Sequence, residues 1–150
     1  MRGVVLLLIV LFFSPTVWAG YDFNIIKQRV AINDLFEVRD WRPLNDGKSF
    51  IAVTDLSGVV LSVGEKNAGI VEALQNMTQS ITAMRRCLAI GYLGVSPENA
   101  AQRSRLGSVV EDALQSKSTQ YIAMNNVKFE VTFVEAGGSI YLSCILTPVE

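Results

Sequence analysis

Histidine is absent from all 150 residues. That absence removes the side chain most often used for proton transfer near neutral pH and the commonest zinc ligand, and with them the Ser-His and Cys-His nucleophile pairs. No serine stands in a Gly-x-Ser-x-Gly elbow, and no Ser-x-x-Lys follows residue 19, so nucleophilic hydrolysis has no visible apparatus. Cysteine is scarce at two, too few for a metal centre without histidine. A surplus of one charge is also missing. The 13 basic side chains face 14 acidic ones, which leaves nothing to attract nucleic acid or an anionic membrane surface. Repeats, low-complexity tracts and Pro/Gly/Ser-rich linkers do not occur. The expectation is a non-enzymatic chain with no cofactor and no metal.

What the sequence does have starts at residue 1. Met1-Arg2 is a basic start, Gly3 to Phe13 an apolar stretch, and Ser14-Pro15 a break before Val17-Trp18-Ala19, the layout of a secretory signal peptide with its cleavage site. The apolar run is shorter than the roughly 20 residues that a spanning helix needs. No cysteine lies near the cleavage site to carry a lipoprotein's acyl anchor. Residues 1–19 are therefore expected to be a cleaved signal peptide, leaving no stable membrane anchor, and residues 20–150 a single domain in the periplasm or secreted medium. In that oxidising setting Cys87 and Cys144 read as a disulfide.

After the leader the chain falls into strands, then helices, then strands. Leu35 to Trp41, Lys48 to Thr54 and Val59 to Val63 read as three strands joined around Asn45-Asp46-Gly47 and Ser57-Gly58. Tyr21 to Asn33 fits either a strand or a short helix. Ile70, Leu74, Met77, Ile81, Met84 and Leu88 recur at alternating spacings of four and three, predicting a helix capped by Asn67, core-facing on that stripe and ended by Gly91 and Gly94. Ser96-Pro97-Glu98 opens a second helix with Leu106, Val109, Val110, Ala113 and Leu114 on its buried face.

The last block alternates most clearly: Val127, Phe129, Val131 and Phe133 are separated by Lys128, Glu130 and Thr132. Asn125-Asn126 and Gly137-Gly138 divide it into three antiparallel strands, with Ile140, Leu142, Cys144 and Leu146 on one side of the final one. The fold class is α+β, an antiparallel sheet with two helices packed on one face. Both thiols point inward, so the bridge should tie the first long helix to the last strand.

Several short motifs imitate chemistry without completing it. Gly47-Lys48-Ser49 ends like a P-loop, but Arg42 stands where the leading glycine belongs. Gly91-Tyr92-Leu93-Gly94 lacks the remaining glycines of a dinucleotide fingerprint. Asn76-Met77-Thr78 matches a glycosylation sequon but falls inside the predicted helix. Glu111-Asp112 is a carboxylate pair of the kind acid-base chemistry uses, on a helix face expected to meet water.

Two clusters remain as partner-binding candidates. Arg85, Arg86, Arg103 and Arg105 could form a positive patch on the helices, and Arg39, Trp41 and Arg42 unite residue types enriched at interface hot spots. The leading expectation is an exported protein that binds another protein in the cell envelope, as an inhibitor, an immunity-type protein or an envelope or secretion accessory. The alternative is a carrier of a small apolar ligand lined by Met77, Met84, Phe129 and Phe133. A carboxylate-based cell-wall hydrolase ranks third.

Overall fold

Strands that bury one side turn every second residue inward, and these inward positions line up from strand to strand through the middle of the sheet. The computed structural model describes residues 20–150, and the leader expected over residues 1–19 lies outside them. Strands β1 (Val38–Pro43), β2 (Ser49–Thr54), β3 (Val59–Gly64) and β4 (Ala68–Leu74) form a meander. Helices α2 (Met77–Val95) and α3 (Ala100–Ser116) follow, then a second meander of β5 (Gln120–Met124), β6 (Val127–Ala136) and β7 (Ser139–Pro148). The two meanders join through β4 and β7 in one seven-stranded antiparallel sheet of order β1-β2-β3-β4-β7-β6-β5. The α+β class holds. A further helix, α1 (Phe23–Ala31), precedes the sheet, capped by the Asp22 carboxylate, and resolves the ambiguous segment as helix.

One rung shows how the core is built. Leu61 pairs with Ile70, Ile70 with Cys144, and Cys144 with Val131, all buried on the same side of the sheet. Onto that side α2 places Ala83, Cys87, Ile90, Gly91 and Gly94, and α3 adds Leu106, Val109 and Ala113. Cys87 and Cys144 form a disulfide with Cα atoms 5.5 Å apart, tying α2 to β7.

The sheet-facing stripe of α2 is made largely of small residues because the sheet supplies the bulk. The Phe129 ring fills the space over Gly91, and the Leu146 side chain fills that over Gly94. Both glycines thus lie inside α2 as points of close approach, where the sequence placed the helix end. The real end is Ser96, a left-handed C-cap at φ 52° whose N–H bonds the Tyr92 carbonyl.

Other boundaries also move. Ile70 and Leu74 belong to β4 and not to a helix, and the cap of α2 is Asn76, whose side chain accepts from the Gln79 N–H. A four-residue spacing is two strand repeats as well as about one helical turn, so it fits either element. Asn99, not Ser96, caps α3, and the Gln102 side chain returns a bond to the Glu98 N–H. Leu35 and Phe36 leave the first strand for a 3-10 turn over Asp34–Phe36, which buries Phe36 fully before Glu37 turns left-handed at φ 47°. Gly47 and Lys48 lie in the β1–β2 hairpin turn, and Ser49 opens β2. The Asp46 carboxylate accepts from the Lys48 and Ser49 N–H groups and from the Ser49 hydroxyl, and these bonds, the hydroxyl's first, hold its pKa below the usual carboxylate range.

Candidate functional site

The sheet outruns its helical cover. Glu72 pairs with Leu142 and Leu142 with Phe133, the last rung beneath the helices. On the next rung, Leu74 pairs with Ile140 and Ile140 with Glu135, near the first turn of α2 and the last turn of α3. The space left there is a cleft of about 350 Å³, walled by Leu74, Phe133, Ile140 and Leu114, with Asn76, Ser80, Lys117 and Glu135 supplying its polar groups. Leu114 also lines a second groove of about 310 Å³ between the helices, formed with Ile81, Met84, Leu88, Gly107 and Val110 and flanked by Arg85 and Glu111. Cleft and groove share Leu114 in their walls, and the groove is an apolar channel along the helical hairpin.

This channel corrects the expected role of the helical stripe. Met77 is 81% exposed and Ile81 is also exposed, while Met84 and Leu88 are half-buried in the groove. Met77, Ile81, Met84 and Leu88 thus face α3 and solvent, and the sheet takes Ile90 together with the small residues Ala83, Cys87, Gly91 and Gly94. Leu114, expected in the core, is exposed on the groove. Of the four residues expected to line a ligand pocket, Phe133 reaches the cleft, Met84 reaches the groove, Met77 points to solvent and Phe129 is sealed in the core.

The arginines do not form one patch. Arg86 is 8% exposed and lies under α2, where its guanidinium donates to both carboxylate oxygens of Glu72, itself 4% exposed. Its expected place on the surface is therefore overturned: it faces the sheet beside Cys87 because the core there holds a carboxylate that must be paired. Arg85 is exposed at the groove next to Glu111, and Arg103 and Arg105 are exposed on α3, Arg103 toward the far end of the hairpin where its carbonyl accepts from Tyr92. Arg39, at a bulge in β1, pairs with Asp55.

Trp41 is half-buried on the helix side of β1, with the Lys27 ammonium 5.6 Å from its ring and 3.5 Å from that of Phe50. Arg42 follows it on β1 and is exposed. Glu111 accepts from the Gln115 side chain on the exposed face of α3, and Asp112 is exposed beside it. Asn76 of the sequon is exposed at the cleft mouth rather than inside the helix, with its side-chain oxygen engaged as the cap of α2. No helix among the described residues is long and apolar enough to cross a membrane. The chain matches no protein-family model, no curated protein and no solved structure, so its functional reading rests on this geometry.

Proposed function

We propose that this is an exported, non-catalytic protein whose α2–α3 channel receives the apolar face of a helix from a protein partner in the cell envelope. The carrying observation is the groove itself, with Ile81, Met84 and Leu88 at helical spacing on α2 and Leu114 on α3, apolar side chains that the core covers only in part. Helix-in-groove recognition uses such a row, with methionine adding a side chain that adapts to the shape it meets. Export is supported by the leader pattern and by the Cys87–Cys144 bridge, which belongs to an oxidising compartment.

Site-specific photocrosslinking in the producing cell tests the reading. A crosslinker at Ile81 should give one discrete protein adduct that the Leu114→Glu substitution abolishes. The same adduct from a crosslinker at Val60, exposed on the sheet's opposite side, would sink it. A second reading, a carrier for a small apolar ligand, draws on the cleft volume of about 350 Å³, within the range that encloses such molecules. Native mass spectrometry separates the two, because a carrier retains small-molecule adducts and a helix-binding protein does not.

A further inference from the structure

The two edges of the sheet are built differently. On β1, the bulge at Arg39, the charges of Arg39, Asp40 and Arg42, and Pro43 at its end are the devices by which natural edge strands resist pairing with another chain. On β5 there are none. Gln120 to Met124 hold five consecutive register pairs with β6 and include no charged residue, no proline and no bulge.

The Asn125-Asn126 turn closes this hairpin with both residues at positive φ, 52° and 60°. In a two-residue hairpin the pair flanking the turn, Met124 and Val127, exchanges both hydrogen bonds, and every second pair does so after it. Gln120, Ile122 and Met124 are thus bonded to β6. The N–H and C=O groups of Tyr121 and Ala123 point out of the sheet, and both residues are exposed.

We infer that β5 pairs with β5 of a second copy of this chain, antiparallel across a two-fold axis at Ile122, joining the two sheets into one. In that register Tyr121 stands opposite the copy's Ala123 and the reverse, so all four outward backbone groups on each side are bonded.

An independent feature of α3 selects the same partner. Gly107, Glu111 and Leu114 face α2 across the groove, and Leu106, Val109 and Ala113 face the sheet. At about 100° per residue, Arg105 and Asp112 then share the remaining side, above the β5 edge. Both are exposed, and among the described residues neither side chain has an ion-pair partner. They are two helical turns apart, ~10 Å. The axis that pairs the β5 strands turns α3 antiparallel to its copy, setting Arg105 against the copy's Asp112 and Asp112 against its Arg105. A charge pattern that complements itself under a two-fold rotation is a signature of self-association.

Sedimentation equilibrium of the exported protein tests this. A dimer is expected, with the Tyr121 and Ala123 amides gaining hydrogen-exchange protection as concentration rises. Ala123→Pro removes one outward donor and leaves the bonds to β6 in place, so it should give a folded monomer. Arg105→Asp and Asp112→Arg should each weaken the dimer about tenfold or more by opposing like charges. An equimolar mixture of these two variants should restore it, because both cross-axis pairs then join opposite charges. A monomer at all concentrations overturns the inference, as does a dimer indifferent to the proline and to both reversals. Failure of the mixture to recover, with each variant folded, overturns the pairing of Arg105 with Asp112.

Discussion

Arg86 and Glu72 meet beneath α2 in a two-pronged ion pair, the guanidinium Nε 3.0 Å from one carboxylate oxygen and its terminal nitrogen on the other. Pair and disulfide adjoin on α2, so a polar and a covalent tie fix the same stretch of helix to the sheet. Their energetic characters differ, and separate measurements can show it.

Substituting Arg86→Met leaves a carboxylate buried without a partner and should cost about 3–5 kcal/mol. The double variant with Glu72→Leu should recover most of that loss, because desolvating both charges offsets much of their attraction. Urea unfolding of the four proteins in a double-mutant cycle gives the coupling directly. Additive losses would show that the two residues do not act as a unit.

Replacing Cys87 and Cys144 together by alanine should destabilise the protein by about 4 kcal/mol in the chain-entropy account for a loop of this size. The check is the chemical denaturation midpoint against the oxidised parent. Unreduced parent protein should also keep its mass on treatment with an alkylating reagent.

Two helix glycines should respond with opposite signs. A methyl at Gly94 would overlap the Leu146 side chain, so Gly94→Ala is expected to cost about 1–3 kcal/mol as an overpacked core. At Gly107 nothing lies within 4 Å, and Gly107→Ala should stabilise α3 by up to about 1 kcal/mol. Melting temperatures of the two variants should therefore move in opposite directions.

Burial pushes the Tyr21 phenol well above its ordinary range, and its hydroxyl donates to the Gly64 carbonyl at 2.5 Å. The folded state holds this proton where the unfolded chain releases it. The contribution is therefore complete below the ordinary tyrosine pKa of 10.0 and declines as pH rises from there toward the folded-state pKa. Tyr21→Phe should cost about 1 kcal/mol at neutral pH through the lost hydrogen bond and flatten the alkaline decline. Absorbance titration near 295 nm should show a late phenolate that this variant lacks.

The second meander was legible in the sequence because its pattern and its punctuation agree. Val127 to Phe133 alternate over one period, and the dipeptides Asn125-Asn126 and Gly137-Gly138 adopt the positive φ that a tight hairpin demands. The disulfide was legible because both cysteines lie on inward positions whatever the exact element ends. The buried face of the first long helix is not legible, because bulk does not mark burial there. Its sheet-facing stripe of Ala83, Cys87, Gly91 and Gly94 is small where Phe129 and Leu146 are large, a complementarity that one segment read alone does not display. Arg86 reads as a surface residue because only the fold brings Glu72, fourteen residues earlier, under it. The groove is therefore hidden in a stripe whose spacing alone predicts a core face.

The single non-consecutive neighbour in the strand order, β4 beside β7, also sets a sequence of events in assembly. Each meander and the helical hairpin can form from residues close in the chain, whereas this seam must bring together Ala68–Leu74 and Ser139–Pro148 against the entropy of everything between. Cys144 is itself a seam residue, opposite Ile70, so its bridge to Cys87 takes its native surroundings only when the two halves have met. Oxidation is then expected to act as a latch on that closure, and pulsed alkylation during refolding checks it by timing the bridge against the pairing of β4 with β7.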